Sequence, residues 1–536
     1  MALVNQRLAA QSGGVFYLRI EDTDQKREVE GAVSELIRGL AYFGIEFDEG
    51  VGLTECCGCG LSGSVVVEGC GGGFECGQNG NGLECGSNGG VVVERGAYGP
   101  YFQSARREIY HGFAQRLLDE GKAYHCFLTE DEIADIRKKQ EAAKELPGIY
   151  GAYAKWRGAD ADLVAEKIQS CDPYVIRFNA DHEGAACEGE SIVVADGIRG
   201  ELTMPRNNLD TVILKKDGLP TYHFAHVVDD HLMETTHVVR GEEWLSSLPI
   251  HISLFRALGF EPPVYCHTAL LMKLDGGIKR KLSKRTDPES ALSYYIADGY
   301  HPIAVREYLL TVINSNYEEW RLSNPDVDSN VFEVTTEKMG SAGMLFDLDK
   351  LQNISRDVLA RIPAGELAGF VLDWAEREKP EAFATLLEGR DVLEAALDIG
   401  RAGEKPRKDL VYAAQMFDFV SYFFDAYFRM DDPLPEGMSE SEAGALLTGY
   451  LESYDHADDR DRWFEKVREL AFAHGYAPKP KDYKNNPEMY KGHVGDVSTV
   501  IRRALAGRCV APDIYEIQQI LGEERVRGRL GVASLI

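Results

Sequence analysis

The pattern of apolar residues changes near Ser290, and this change limits the chain to a mixed fold. Before it, short apolar runs that predict strands alternate with amphipathic helices. The series starts with a helix that ends at Gly13, a buried strand over residues 15–20 and a second helix that ends at Gly44. Such alternation is typical of a parallel sheet covered by helices. After Ser290 the periodicity is almost entirely helical, so we expect an α/β domain followed by helical bundles.

The second helix shows the pattern most clearly. Its apolar residues recur at spacings of three and four, as one helix face buried against a core requires. We expect that face to consist of Val29, Val33, Leu36, Ile37, Leu40 and Phe43.

An inserted lobe interrupts the α/β pattern. Residues 102–170 are mostly helical and strongly charged, whereas 174–215 contain four β-rich runs, YVIRF, SIVVAD, ELTMP and TVILKK, before a turn signal at Asp217 and Gly218. Buried strands and helices alternate again over residues 221–275. The sequence therefore predicts an α+β lobe that holds all four runs and splits a single α/β domain.

Composition and charge exclude several classes of protein. A chain of 536 residues with 44% hydrophobic residues can form about three or four domains, and no apolar run approaches the roughly 18 residues that a membrane helix needs. No secretory signal is readable at the start, so we expect a cytoplasmic protein without membrane contact. The net charge of −29 disfavours attraction of nucleic acid to the whole surface, so any such contact must be local.

Cations accumulate late in the chain, with tyrosines Tyr476, Tyr483 and Tyr490 between them. This combination fits a nucleic-acid surface, and the alternative is a set of solvated helix faces. The cations are Lys479, Lys481, Lys484, Lys491, Arg502, Arg503, Arg508, Arg525, Arg527 and Arg529.

A glycine- and cysteine-rich stretch over residues 51–93 looks like an inserted, mobile loop. It holds six of the eleven cysteines, and its composition cannot offset the entropy of ordering by burial. Its G-x-G-x-x-G match at 58–63 follows no strand and opens no helix, so it does not indicate a nucleotide loop. Cys56 and Cys59 form one C-x-x-C pair without a second pair or a histidine, so we expect no metal there.

The strongest local signal is the basic pentapeptide at residues 281–285, KLSKR, which follows a glycine turn at Gly276 and Gly277. A basic run is usually a solvated surface feature. After an α/β sheet, however, a loop with two lysines can close on a triphosphate and stabilise the charge that builds on the α-phosphate when an adenylate forms.

This loop resembles the second signature of class I aminoacyl-tRNA synthetases, in the variant of the glutamyl and glutaminyl branch. Further motifs follow in the order of that branch, and the helical C-terminal half is similar to bacterial glutamyl enzymes rather than to glutaminyl ones. These motifs are RIEDTD at 19–24 with Arg27, GPY-x-QS at 99–104, Tyr222-His223, Asp229-Asp230, RGEEW at 240–244, and Phe346-Asp347 with Lys350-Leu351.

The resemblance implies roles for individual residues. Arg240 and Tyr222 would hold the side-chain carboxylate of glutamate, and Glu21 would hold its ammonium group. Without the resemblance, Glu21 could cap a helix, Tyr222 could lie in a core, and Arg240 could pair with Glu242 or Glu243. The ATP site would comprise Lys281 and Lys284, which would also serve catalysis, together with Ser283, Arg285, Glu243 and Trp244.

The resemblance also implies a class I Rossmann-type fold and its partners. ATP with Mg²⁺, glutamate and tRNA(Glu) would be the substrates of a monomeric ligase, and the tRNA would contact Arg502, Arg503, Arg508 and Arg527 through unpaired anticodon bases. We divide the chain into 1–115 and 221–280 as the two halves of the catalytic domain, 116–220 as the acceptor-end lobe, 281–360 as the stem-contact domain and 361–536 as the anticodon-binding domain.

Two departures from the family pattern lead to expectations of their own. The first signature, H-I-G-H, is absent from the sequence, so we expect the natural protein to start upstream of Met1. Some family members bind zinc in the lobe, but Cys126 has no cysteine partner near 150–156, so we predict no structural zinc.

Three alternatives stay open at this point. A glutaminyl-tRNA synthetase is the nearest one within the enzymes, and a non-catalytic tRNA-binding paralogue without the first signature is a second. A metal-binding interaction protein built on the cysteine segment is the third. Whether tRNA(Gln) is also charged depends on contacts to one anticodon base, and the sequence does not decide it.

Overall fold

The structure is a computed structural model, and it describes residues 1–24, 29–55, 90–182, 191–283, 285–341, 343–401 and 406–533. The chain divides into two compact units. Unit 1 comprises Met1–Thr286 and Leu309–Phe346, and unit 2 comprises Asp287–Tyr308 and Asp347–Ile536.

Unit 1 is built from strands and helices in alternation. Its first seven helices are α1 (Ala2–Ser12), α2 (Ala32–Tyr42), α3 (Arg107–Asp119), α4 (Glu130–Ala143), α5 (Ala161–Gln169), α6 (Tyr222–Leu232) and α7 (Leu248–Leu258). Its strands are β1 (Tyr17–Leu18), β2 (Glu49–Glu55), β3 (Gly90–Arg95), β4 (Ala123–Cys126), β5 (Val175–Phe178), β6 (Ser191–Asp196), β7 (Gly200–Pro205), β8 (Val212–Leu214), β9 (His237–Gly241), β10 (Val264–Thr268), β11 (Leu271–Asp275), β12 (Ile278–Lys281) and β13 (Met344–Leu345).

The strands form four sheets. In strand order these are β1-β2-β3, β7-β6-β10-β9, β12-β11-β13 and β4-β5-β8. Strand β10 is parallel to both β9 and β6, and β1 is parallel to β2, so the α/β prediction is confirmed. The carboxyl ends of β6, β10 and β9 therefore lie side by side, which is where ligands bind in open α/β sheets.

The prediction that all four β-rich runs belong to one lobe is wrong for two of them. Strands β4, β5 and β8 form the lobe sheet, but the hairpin β6–β7 pairs with β10 in another sheet. Ile192 of β6 packs in the same apolar core as Tyr265 of β10 and Phe255 of α7. The lobe has its own small core around Tyr124, Leu128 and Ile136.

Two expectations about the first segments also need correction. The strand expected over residues 15–20 is confined to Tyr17–Leu18, which pairs on one side with β2, and Val15 is exposed. Helix α2 begins after Gly31, so Val29 precedes it and is 69% exposed, while Leu36 is 43% exposed. Ile37 and Phe43 are buried, as expected.

The ends of the glycine- and cysteine-rich stretch are ordered strands rather than loop. Residues 49–55 and 90–95 pair in antiparallel register, with Val51 opposite Glu94 and Val91 opposite Thr54. Val51 is 1% exposed and packs with Tyr101 and Ile37, which explains why the stretch begins as a strand. The expectation of a mobile loop, the C-x-x-C pair and the match at 58–63 fall on residues 56–89, outside the described residues.

Beyond β12 the described chain is helical except for β13, as predicted. The helices are α8 (Leu292–Asp298), α9 (Pro302–Ile313), α10 (Tyr317–Ser323), α11 (Leu348–Arg361), α12 (Ala364–Glu378), α13 (Pro380–Glu388), α14 (Arg390–Asp398), α15 (Ala413–Val420), α16 (Glu440–Ser453), α17 (Arg460–Ala473), α18 (Pro480–Asn485), α19 (Val494–Ala506) and α20 (Ile514–Ala533). Unit 2 has one large apolar core to which α11–α17, α19 and α20 contribute. The finer division into four domains over five segments of the chain stays a prediction.

Candidate active site

Arg240 is the central charged residue of unit 1. It lies near the carboxyl end of β9, directly opposite His267 of β10, and only 8% of its surface is exposed. Its Cζ atom lies 4.7 Å from the centre of the Tyr265 ring. A buried guanidinium must have its hydrogen-bond donors satisfied to offset the loss of water.

The partners of Arg240 are neutral groups. Its Nε donates to Nε2 of His267 at 2.9 Å, and its Nη1 donates to the Tyr222 hydroxyl at 3.4 Å and to Nδ1 of His251 at 3.3 Å. Its Nη2 is buried and has no hydrogen-bond partner among the described residues. The guanidinium therefore keeps both its charge and one donor for an acceptor that enters the site.

Tyr222 is the first residue of α6, and its hydroxyl lies beside Arg240. Its ring centre is 4.5 Å from that of Trp244, in the short helix Glu242–Ser247 that follows β9. Desolvation and the negative charge of Glu21 raise the pKa of Tyr222 to about 12, with Arg240 opposing them. The hydroxyl therefore stays protonated at neutral pH and can donate to an anion.

Glu21 supplies the acid of the site. It follows β1, its carboxylate lies 3.3 Å from Arg19, and 41% of its side chain is open to solvent. Desolvation by surrounding protein raises its pKa, although Arg19 opposes this. Part of the Glu21 side chain is thus open to solvent, and its negative charge acts on the Tyr222 hydroxyl.

Two acidic residues of α6, Asp229 and Asp230, hold neighbouring side chains in place. Asp229 is fully buried and accepts hydrogen bonds from Gln103, Arg106 and Tyr110 at 2.7–2.9 Å. Asp230 pairs with Arg19 at 2.8 Å. These contacts join three of the sequence motifs and fix the position of Arg19.

The purely structural roles considered for Glu21, Arg240 and Tyr222 do not match the contacts that these residues make. Helix α2 is capped by Gly31 rather than by Glu21. Arg240 forms no ion pair among the described residues, because Glu242 binds Arg199 and the backbone N–H of Leu270. Tyr222 is only half-buried.

The basic loop begins at a hairpin. Strands β11 and β12 are antiparallel, with Asp275 opposite Ile278, and both turn residues, Gly276 and Gly277, have positive φ. Lys281 ends β12, is 58% exposed and lies 3.7 Å from the Glu243 carboxylate. The loop thus starts beside the Glu242–Ser247 helix that carries Trp244.

The remaining loop residues are described in part. The Ser283 hydroxyl accepts from the backbone N–H of Arg285 at 3.4 Å, and Arg285 is exposed. Lys284 falls outside the described residues, so its predicted role on the phosphates stays a prediction.

The arginines predicted to bind tRNA lie in unit 2, and protein groups engage each of them. Arg508 forms a two-point ion pair with Asp418 at 2.8 and 2.9 Å, and Arg527 pairs with Glu523 at 2.8 Å. Arg503 donates to the Asp432 carbonyl and Arg502 to that of Cys509.

One tyrosine between these cations is unsuited to stacking on bases. Tyr476 is 4% exposed and packs in the core of unit 2, so the interleaved tyrosines do not form one surface as the sequence pattern suggested. Periodic aromatic residues are found more often in cores than on binding surfaces, and Tyr476 follows that rule.

Neither a metal cluster nor a membrane span is found in the part of the chain that the structure describes. No group of three His, Cys, Asp or Glu side chains there could hold a metal ion, and no helix there is long and apolar enough to cross a membrane. Cys126 is buried and free. The absence of structural zinc stays a prediction.

Three residues of the site escaped the sequence interpretation: Asp196, His251 and His267. His267 and Asp196 lie at the carboxyl ends of β10 and β6, and His251 lies on α7 behind Arg240. Polar residues that close an apolar run such as SIVVAD or VYCHT were the available signal, because the ends of parallel strands meet at one edge.

Comparisons with known proteins show which family the chain belongs to. A family model described as "tRNA synthetases class I (E and Q), catalytic domain" matches residues 1–352. A glutamate–tRNA ligase of Acetivibrio thermocellus is 52% identical over 99% of this chain and 89% of that protein, and one of Clostridium perfringens is 43% identical over 99% and 90%. The crystal structure of glutamate-tRNA synthetase from Elizabethkingia anophelis matches with a TM-score of 0.68, 25% identity and coverage of 100% of this chain and 96% of that one. The chain therefore belongs to the glutamate–tRNA ligase family of class I aminoacyl-tRNA synthetases.

Proposed function

We propose that the protein activates glutamate with ATP and transfers it to the 3′ end of tRNA(Glu), as a cytoplasmic monomer. The observation that carries this proposal is the buried Arg240, which keeps an open donor beside the Tyr222 hydroxyl. We assign Glu21 to the same recess, because its negative charge acts on Tyr222. A molecule with a carboxylate at one end and an ammonium group at the other satisfies both ends of this recess.

Glutamate fits the recess better than glutamine does. Its side-chain carboxylate accepts from Arg240 and Tyr222, and its ammonium group donates to Glu21. The amide of glutamine presents two N–H donors at one position, and a buried donor that faces another donor costs roughly 1–3 kcal/mol. The arrangement therefore supports glutamate as the amino acid.

The nucleotide belongs next to the basic loop. In the first step, a carboxylate oxygen of glutamate attacks the α-phosphorus of ATP, and the bond to pyrophosphate breaks. Cations supplied by Lys281, Lys284 and Arg285, with the Ser283 hydroxyl, offset the charge on the phosphates, while Trp244 and Glu243 lie near the nucleotide. Lys281 supports this assignment because it is exposed at the end of β12, beside Glu243.

Magnesium would come with the nucleotide. Because Mg²⁺ keeps several waters and is usually held by one or two carboxylates and by substrate phosphates, we assign the ion to the ATP phosphates.

The second step needs tRNA. Its terminal ribose hydroxyl attacks the activated carbonyl and releases AMP, and unit 2 reads the anticodon through Arg502, Arg503, Arg508 and Arg527. Because Arg508 and Arg527 already bind Asp418 and Glu523, the tRNA must supply acceptor groups that replace those carboxylates.

Exchange of labelled pyrophosphate into ATP tests the proposal. We expect exchange with glutamate and tRNA(Glu) present, little with glutamine, and esterified glutamate on the tRNA. Exchange that prefers glutamine would identify a glutaminyl enzyme. Bound tRNA without exchange for either amino acid would identify a non-catalytic paralogue.

A further inference from the structure

A row of three residues crosses three neighbouring parallel strands behind the amino-acid site. Asp196 ends β6, His267 lies near the end of β10, and Arg240 lies near the end of β9, in the strand order β6-β10-β9. All three are buried, with exposed fractions of 4%, 0% and 8%. The role proposed above for Arg240 does not by itself use the other two.

The contacts along the row fix the proton on His267. Nδ1 of His267 lies 2.6 Å from Oδ2 of Asp196, and Nε2 lies 2.9 Å from Nε of Arg240. Arg240 can only donate, so Nε2 must accept and Nδ1 must carry the proton that Asp196 receives. Asp196 thus sets the tautomer, and the tautomer provides an acceptor for Arg240.

Backbone donors hold the carboxylate of Asp196 in one orientation. The N–H groups of Ile198 and Arg199 donate to its Oδ1 at 3.0 and 2.9 Å, and the N–H of His267 lies within 3.3 Å of both oxygens. Although desolvation acts in the opposite direction, the hydrogen bonds from His267 and these backbone groups hold the pKa of Asp196 below its ordinary value. Oδ2 therefore faces His267 as an acceptor.

Neutral acceptors suit this arginine better than a carboxylate would. A carboxylate in direct contact with Arg240 would orient the guanidinium but would also neutralise it and compete with an incoming anion. In this row, the imidazole ring of His267 separates the negative charge of Asp196 from the guanidinium of Arg240. The Arg240 side chain is thereby oriented while its Nη2 donor stays open.

We propose that His267 and Asp196 are positioning residues, which orient Arg240 for the side-chain carboxylate of the amino acid. This inference rests on the proposed function. It predicts that a change two contacts away from the substrate alters the binding of glutamate and leaves that of ATP unchanged.

Asp196→Asn is the decisive variant because it removes no heavy atom. The backbone donors at Oδ1 would keep the amide oxygen of Asn, so its NH₂ group would face Nδ1 of His267. His267 would then carry its proton on Nε2, and that donor would oppose the Nε donor of Arg240. Loss of a hydrogen bond to a charged group corresponds to a rise of about 10- to 100-fold in the KM for glutamate.

His267→Gln supplies the conservative comparison. The side-chain oxygen of Gln can accept from Arg240 without depending on a tautomer, so we expect a KM for glutamate within about threefold of the original. Asp119→Asn, an exposed residue at the end of α3, is the matched control for the loss of one negative charge.

Pyrophosphate exchange with tRNA(Glu) present measures all four proteins, with glutamate and ATP varied separately. We expect Asp196→Asn to raise the KM for glutamate while the KM for ATP stays within about twofold. An unchanged KM for glutamate, or equal rises for both substrates, would overturn the inference. So would an Asp196→Asn protein that does not fold, because that outcome would show a structural role. If the unaltered protein fails to activate glutamate, the proposed function is wrong instead.

Discussion

Arg240 of unit 1 and two arginines of unit 2, Arg508 and Arg529, are held in opposite ways. In unit 1, Arg240 is oriented by a tyrosine and two histidines, and it forms no ion pair among the described residues. In unit 2, Arg508 is held by Asp418, and Arg529 binds the Tyr422 and Leu505 carbonyls and Asp425. The availability of an arginine for a ligand therefore depends on what already accepts from it, rather than on how many cations the segment contains.

Removal of the Arg240 side chain should have the largest effect on the use of glutamate, because no acceptor in the described part of the chain already neutralises this arginine. We expect Arg240→Ala to lower kcat/KM for glutamate by on the order of 10²- to 10³-fold, because the loss of one member of a buried charge pair costs about 2–5 kcal/mol. Pyrophosphate exchange measures the effect, and Arg256→Ala on the exposed face of α7 is the control. A variant within about threefold of the original would show that another residue binds the carboxylate.

Acidification should destabilise the folded protein through His226, one of the buried histidines near Arg240. Burial lowers the pKa of His226 to about 4, so between pH 6.5 and 4 the unfolded chain binds the extra proton and the folded one does not. Stability should therefore fall as the pH decreases, by about 2 kcal/mol from pH 7 to pH 5 for this group.

Urea unfolding at the two pH values measures that loss. His226→Asn keeps a donor towards Asp230 and should reduce the dependence on pH, whereas His237→Asn, at an exposed histidine, should not. Equal dependence in the protein and in His226→Asn would contradict the assignment of a neutral, buried His226.

The Tyr222 hydroxyl should contribute less than the guanidinium. Tyr222→Phe keeps the ring against Trp244 and removes one neutral donor, which is worth about 0.5–1.5 kcal/mol. We expect the KM for glutamate to rise about 2- to 10-fold in pyrophosphate exchange, with the KM for ATP unchanged. A larger rise for ATP than for glutamate would place the hydroxyl on the nucleotide.

The arginines of unit 2 should give the smallest effect. Arg508→Ala and Arg527→Ala each remove a cation that already has a carboxylate partner, so each should raise the KM for tRNA by about two- to fivefold. Aminoacylation at varied tRNA concentration measures this, and the KM for glutamate should not change. A tenfold effect would mean that phosphate displaces the carboxylates with little cost.

The sequence predicted the fold for a physical reason. The spacing of apolar residues shows which face of a helix or strand is buried. It therefore predicted the α/β first half and the helical second half of the chain. The assignment of Arg240, Tyr222 and Glu21 to one glutamate site came from the resemblance of short motifs and stays a prediction, although the structure does bring Arg240 and Tyr222 into contact. Periodicity does not report which sheet a strand joins, and the hairpin β6–β7 was assigned to the wrong sheet because its alternation fits either one.

The row behind Arg240 was missed for a related reason. His267 sits in an apolar run, and only the register of β10 against β9 brings it opposite Arg240. Likewise, the sequence shows how many arginines unit 2 contains, but not what they bind. Asp418 is 90 residues from Arg508 in the chain, yet its Oδ1 lies 2.8 Å from Nη2 of Arg508. Contacts between distant segments decide which charges are available.

The two glycines at the tip of the β11–β12 hairpin have a consequence for the basic loop. A Cβ atom at Gly276 or Gly277 would meet nothing within 4 Å, so their positive φ angles rather than lack of space demand glycine there. The turn sets the pairing of Met272 with Lys281, and neighbouring residues of a strand point to opposite sides. If the pairing register slipped by one residue, the ammonium group of Lys281 would point to the opposite face of the β11–β12 hairpin. The register of this hairpin therefore determines on which face the first cation of the basic loop lies.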